Sequence, residues 1–222
     1  MIANQQSPRW AIEELRTLSF RDKRLVRKAI SLLQRISQNP SLPISRFSSN
    51  KAEQDSFYRF IGNKKTTFES ILAAHQNETF LRMKEVSNKI LLIEDTTTIE
   101  TLHLEDYEDG PISSGSKTGF ILHTTLAVDL DNNKILGIPS ALLWKRSSEK
   151  KPKEETGAER KKRTRESVKW VIPQLDAIEK STKIEVEGKQ FIIVGDREAD
   201  IYEVYLYQKK VGHGFEIGRA HV

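Results

Sequence analysis

The stretch Gln190-Phe191-Ile192-Ile193-Val194-Gly195-Asp196-Arg197-Glu198-Ala199-Asp200-Ile201-Tyr202 decides the fold. Its apolar run enters Gly-Asp without interruption, and an amphipathic segment follows. A short apolar run closed by a polar turn predicts a strand buried on both faces. The turn sets Asp196 at the strand's carboxyl end, the edge of an open α/β sheet where ligands collect. Lys89-Ile90-Leu91-Leu92-Ile93-Glu94-Asp95-Thr96-Thr97 repeats the pattern, so a first strand is expected to end at Asp95. If both strands belong to one sheet, Asp95 and Asp196 meet at its edge. Converging carboxylates are hard oxygen ligands suited to Mg²⁺, with Mn²⁺ as an alternative occupant.

Between these strands, residues 120–129 are apolar and β-rich, and Asp131-Asn132-Asn133-Lys134 is a turn. Residues 135–144 then return as a hairpin partner. Val168, Val171, Ile172, Leu175 and Ile178 give a later helix its apolar face, with Pro173 kinking it. A helix over about 199–210 follows Asp196. Residues 10–89 read as helical instead. Leu25, Val26, Ala29, Ile30, Leu33 and Ile36 recur at helical spacing. Ser48-Ser49-Asn50 offers an N-cap, and Thr66-Thr67-Phe68-Glu69 fits a capping box. A helical region, then strand, hairpin, helix, strand and helix is the order expected of a ribonuclease-H-like mixed sheet with flanking helices. The fold class is therefore α/β.

The 222 residues carry 36 Lys and Arg against 31 Asp and Glu, a net charge of +5. Residues 145–169 alone hold eleven Lys or Arg and five Glu, so this stretch accounts for all of the excess. A concentrated basic segment points to a polyanionic partner, although a solvated charged helix has the same composition. In the helical region, Arg24, Arg27, Lys28, Lys51, Arg59, Lys64 and Lys65 lie between apolar positions, where they suit DNA phosphates. An ordinary helical bundle with a basic surface reads alike. With no cysteine there is no disulfide framework and no thiolate zinc site, which agrees with a reducing cytoplasm. No apolar run approaches membrane-spanning length.

Gly110-Pro111-Ile112-Ser113-Ser114-Gly115-Ser116-Lys117-Thr118 nearly spells a phosphate-binding loop, but Ser116 stands where the lysine should directly follow the glycine. The acidic cluster Glu105, Asp106, Glu108 and Asp109 lacks calcium-loop spacing. The five histidines have no zinc spacing, although His123 is placed to face the active-site sheet. Two carboxylates after two strands favour two-metal phosphoryl transfer, in which metal ions about 3.5–4 Å apart stabilise the attacking and leaving oxygens.

The chain resembles the DDE cut-and-paste transposases of bacterial insertion sequences, in the subgroup of the kanamycin-resistance composite transposon. The residues that carry the likeness are Asp95-Thr96-Thr97, Asp196-Arg197-Glu198-Ala199-Asp200-Ile201-Tyr202, and Tyr58-Arg59-Phe60-Ile61 with Asn63. Gly119 with His123, and Glu166-Ser167 with Lys169-Trp170, also match. The likeness spans about residues 10–215. It implies a helical domain over 1–88 that binds transposon-end double-stranded DNA through Arg24, Lys28, Lys51, Arg59, Lys64 and Lys65. It implies a ribonuclease-H-like catalytic core over 89–215, Mg²⁺, a homodimeric synaptic complex and a bacterial cytoplasmic setting. From their charge, Lys161, Lys162, Arg163 and Arg165 of the basic stretch are expected to add DNA contacts. Asp95 and Asp196 match the first two catalytic carboxylates. The third, a glutamate far downstream in a helix bearing Tyr, Arg, Glu and Lys, has no counterpart.

Glu216-Ile217-Gly218-Arg219-Ala220-His221-Val222 is what a common sequencing-adapter oligonucleotide encodes in this frame. Residues 216–222 are therefore expected to be a non-native tail, leaving the sheet without its last strand and the chain unable to cut DNA alone. Two other readings remain. Gly195-Asp196-Arg197-Glu198-Ala199-Asp200 satisfies a motif of haloacid-dehalogenase-like phosphatases, with Asp95-Thr96-Thr97-Thr98 as a degraded nucleophile loop. The other is a non-catalytic fragment that binds DNA ends or poisons dimers.

Overall fold

The computed structural model describes residues 9–86, 89–101, 110–112, 117–146, 189–196, 199, 202–211 and 214–218. Five helices come first: α1 (Arg9–Glu14), α2 (Lys23–Gln38), α3 (Ile44–Phe47), α4 (Lys51–Ile61) and α5 (Phe68–Glu85). The described strands are β1 (Lys89–Glu100), β2 (Gly110–Pro111), β3 (Thr118–Asp129), β4 (Lys134–Trp144), β5 (Gln190–Gly195) and β6 (Gly214–Ile217), with helix α6 (Tyr202–Val211) before β6. The chain is α/β, helical first and then a mixed sheet. It divides into two compact units, Met1–Glu78 and Thr79–Val222. The division falls inside α5 because the last turns of that helix supply Phe80 and Met83 to the sheet's own core. None of the described helices is long and apolar enough to cross a membrane.

The first unit is built around Leu15, Leu18, Ala29, Leu32, Phe47, Phe57, Phe60 and Ala74. Helix α2 starts where the Asp22 carboxylate accepts the Arg24 N–H, and α4 where Asn50 Oδ1 accepts the Glu53 N–H. Glu53 reaches back to the Ser49 N–H at 2.6 Å. The cap of α5 lies one residue later than the expected Thr66–Glu69 box. Thr67 Oγ1 accepts the Ser70 N–H, and Ser70 Oγ accepts the Thr67 N–H, both at 3.2 Å. Ile36, at helical spacing with the apolar face of α2, is 42% exposed, while Leu32 is buried. The edge-to-face contacts of Phe20 with Phe60 and of Phe47 with Phe57 tie the segment before α2 and helix α3 to α4.

In the second unit the strands run in the order β2-β3-β1-β5-β6, with β4 also paired to β3. β1 is antiparallel to β3 and parallel to β5, and β6 is parallel to β5. Ile90, Leu92, Phe191 and Ile193 alternate onto one face, where they join Ala127, Leu136, Phe80 and Met83. The intervening positions Leu91, Ile93, Ile192 and Val194 are half-buried, so neither strand has the two fully buried faces that the apolar run implied. The β3–β4 turn has Asn133 at φ 51°, and Asp129 closes it by accepting the Asp131 N–H and the Asn132 amide. Gly137, at φ 136°, sits opposite Ala127 where the register shifts on both sides, a bulge geometry open to glycine.

Two expectations give way in this sheet. β1 does not stop at Asp95. It continues to Glu100, because β3 pairs with it through Glu100↔Gly119 after β5 has ended. Residues 214–217 form a strand: Val194 pairs with Glu216 and Gly195 with Ile217, and the Gly218 N–H donates to the Gly195 carbonyl. Glu216 and Ile217, expected to lie in a tail beyond the sheet, are therefore paired within it. Residues 147–169 of the basic stretch, including Lys161, Lys162, Arg163 and Arg165, the helix around Pro173, and the acidic cluster lie outside the described residues.

Replacing fully buried Ile193 with Ala should cost about 2–5 kcal/mol in urea unfolding, whereas Ile99→Ala on an exposed position should stay within about 0.5 kcal/mol. In the first unit, the hydrogen bond from the Ser49 N–H holds the Glu53 carboxyl below its usual range, with Arg35 adding to the effect. A depressed carboxylate binds fewer protons folded than unfolded. Its stabilisation is complete above the ordinary carboxylate range and fades as pH falls through the lowered value. Glu53→Gln should therefore flatten the acid limb of a stability–pH curve.

Candidate functional site

Asp95 lies within β1, and Asp196 is the first residue after β5, the parallel strand beside it. The ladder from Lys89↔Gln190 to Ile93↔Val194 keeps one register. Carried two residues further, it sets Asp95 opposite Asp196. Neighbouring strands stand about 4.8 Å apart, and residues at one level of a parallel pair share a face. That face carries Leu91, Ile93, Ile192 and Val194 below the carboxylates, and both aspartates are exposed above them. The Ala199 N–H returns to the Asp196 carbonyl at 3.0 Å, turning the chain away directly after the site. The Asp95 carboxylate has a fixed local partner, since its Oδ1 accepts the Thr96 N–H at 2.7 Å.

The opposite face of the same level is closed. Glu94 is 2% exposed and Thr125 and His123 are fully buried. The Thr125 hydroxyl donates to Glu94 Oε1 at 3.5 Å, and Thr96 Oγ1 stands 2.9 Å from His123 Nδ1. His123 therefore does not share the aspartates' face: it pairs with Thr96, one residue out of phase with Asp95. Glu94 is a site-level residue that sequence reasoning missed, although period-two alternation from Ile90 places it inward. Among the described residues, no three or more His, Cys, Asp or Glu side chains gather as a metal site. Two solvent-facing carboxylates nevertheless fit Mg²⁺, which keeps several waters and takes one or two carboxylates beside a substrate phosphate.

The basic residues of the first unit fall into two groups. Arg24 is bound to Asp22, whose carboxyl it holds below the usual range chiefly through their side-chain hydrogen bond. Lys51 pairs with Asp55 at 2.9 Å, and Lys28 lies 5.0 Å over the Phe57 ring, half-buried. Arg59, Lys64 and Lys65 are exposed and form no close ion pair among the described residues. Lys65 also lowers the Asp22 carboxyl, which places it near the start of α2. The Phe20–Phe60 contact accounts for this approach. Tyr58 and Ile61, about half exposed, lie in the same last turns of α4 as Arg59. A cationic surface with aromatic and apolar members suits a DNA backbone.

Neutralising Lys64 and Lys65 together should weaken binding to any duplex and reduce the salt slope by about one for each phosphate no longer neutralised. Lys51→Ala should have the smaller effect, since its charge is already paired. Fluorescence anisotropy at several salt concentrations measures both.

Residues 7–66 match the family model for a transposase DNA-binding domain. The match covers most of the first unit, with α1 to α4 inside it, and supports a transposase with DNA as its partner. No curated protein matches the chain.

Proposed function

We propose that the chain is a transposase of the DDE type. Its first unit grips transposon-end DNA, and its sheet carries two carboxylates of a two-metal phosphoryl-transfer site. The observation that carries this reading is the β1–β5 register, which, continued two residues past Ile93↔Val194, would set the two exposed aspartates level with one another. The strand order and directions agree with a ribonuclease-H-like sheet, in which a long antiparallel hairpin precedes parallel strands. The family match over residues 7–66 supports the DNA-binding half. The resemblance of the Asp196–Tyr202 run supplies the insertion-sequence type and the homodimer that pairs two ends.

In this reading Asp95 and Asp196 hold Mg²⁺ or Mn²⁺. When bound, the metal would supply activation of a water or 3′-hydroxyl and neutralisation of the leaving oxygen. The chain's own residues do the rest. The Thr96 N–H fixes the Asp95 carboxylate, and the half-buried row beneath gives the aspartates a stiff base. Arg59, Lys64 and Lys65 bind phosphates and set the register of the duplex, carrying no sequence information themselves. The phosphatase alternative gains no support from the fold: Asp95-Thr96-Thr97-Thr98 is part of a continuous strand, where that reading needs a loop.

The test is Mn²⁺ binding to the chain alongside gel-shift binding to transposon-end DNA. Asp95→Asn and Asp196→Asn should each weaken Mn²⁺ binding by at least about tenfold and leave DNA affinity within about twofold. Wild-type Mn²⁺ binding in either variant overturns the two-carboxylate site. Loss of DNA binding by the paired Lys64 and Lys65 variant, with the sheet variants unaffected, assigns the two halves separately.

A further inference from the structure

We propose that His123 is a positioning residue for the Asp95 carboxylate, acting through Thr96. This inference rests on the two-carboxylate reading of the site. It begins from the level at which Asp95 stands. The last residue of β1 paired to β5 is Ile93, so among the described residues β1 has a strand partner on one side from Asp95 onward, namely β3. A strand held on one edge is free to twist and shift, and a metal-binding carboxylate tolerates little displacement. Two side-chain contacts occur at just this level. Asp95 Oδ1 accepts the Thr96 N–H at 2.7 Å, and Thr96 Oγ1 shares a hydrogen with His123 Nδ1 at 2.9 Å.

The two contacts lie on opposite faces of the strand. Asp95 is exposed, and His123 is fully buried on the core face, in the row of Thr125 and Glu94. An imidazole enclosed in a packed core has little room to move. Through the Thr96 hydroxyl it anchors the peptide whose N–H fixes the Asp95 rotamer. The arrangement works as an outer support for a metal ligand, linked through the backbone. Removing a partner of this kind typically changes metal affinity by about 10–100-fold. Thr96 suits the role because its branched Cβ favours the strand and its hydroxyl supplies the tie. His123 lies too far out of phase with Asp95 to be a ligand itself.

The experiment measures Mn²⁺ affinity of the chain by electron paramagnetic resonance, with thermal unfolding in parallel, for wild type, Asp196→Asn, Thr96→Val, Thr96→Ser and His123→Leu. Thr96→Val keeps the shape and β preference and removes only the hydroxyl. The expected result is an affinity loss of about tenfold in Thr96→Val, recovery towards wild type in Thr96→Ser, and a loss in His123→Leu if that variant folds. A role in stability alone would lower the melting temperature of Thr96→Val and leave Mn²⁺ affinity at the wild-type value, which overturns the proposal. Thr96→Ser binding as weakly as Thr96→Val overturns it too, since the hydroxyl would then be irrelevant. If wild type binds no Mn²⁺, or Asp196→Asn binds as wild type does, the two-carboxylate reading itself fails and this inference falls with it. The first two overturning outcomes leave that reading intact.

Discussion

The parallel pairing of β1 with β5 is the constraint on which the rest of the second unit depends. It sets the register in which Ile90 meets Phe191 and Leu92 meets Ile193, and those pairs form the centre of the core. Side chains alternate along a strand, so the same register decides what faces the other way. A slip of one residue would turn Ile193 outward and Asp196 inward, burying a carboxylate and exposing apolar surface. The core and the strand ends from which Asp95 and Asp196 extend are therefore specified by one set of contacts.

The helix beneath the sheet reinforces that choice. Phe80 and Met83 of α5 are 1% and 0% exposed and pack on the face of Ile90, Leu92 and Ile193. Two large side chains in a single stripe leave no space for a shifted strand, since interiors pack at crystal-like density. The buried carboxylates there are engaged. Glu94 takes the Thr125 hydroxyl, and Asp129 accepts from the turn it closes. A buried carboxylate needs such donors, because leaving it bare would cost more than the fold gains from the site.

Much of this was legible in the sequence because it rests on local signals. The apolar runs leading to Asp95 and Asp196, the Asn133 turn and the Asn50 cap each have a short-range cause, and each stands where expected. What was not legible is set by partners distant in the chain. Thr96-Thr97-Thr98-Ile99-Glu100 has no apolar alternation to announce a strand, yet β3 extends it through backbone pairing. Glu216 and Ile217 read as the start of a non-native tail, but β6 needs only backbone groups to join the edge of β5. The capping box slid to Thr67 and Ser70 because a serine hydroxyl reaches back as a glutamate would. Which cations stay available for DNA depended on where Asp22, Asp55 and Phe57 fall in space.

The extension of β1 past Asp95 also has a mechanical consequence. Beyond the level of the aspartates, β1 continues on β3, which is itself backed by β4 as far as Ile121 and by β2 at Gly119 and Thr118. The far end of β1 is clamped. The Thr101 N–H donates to the Thr118 carbonyl, and Lys117 reaches Glu100 at 2.9 Å. At Gly119 a Cβ would come within 2.0 Å of the Ile99 carbonyl oxygen, so only glycine allows so close an approach of the two backbones. Any side chain there would push the strands apart at Glu100. The displacement would travel back along the ladder towards Thr96 and Asp95, because each paired residue constrains the next. Gly119 and His123 both belong to the likeness with DNA-processing enzymes. Gly119 lets the backbones of β1 and β3 close at Glu100, and His123 meets Thr96, the residue next to Asp95, on the core face.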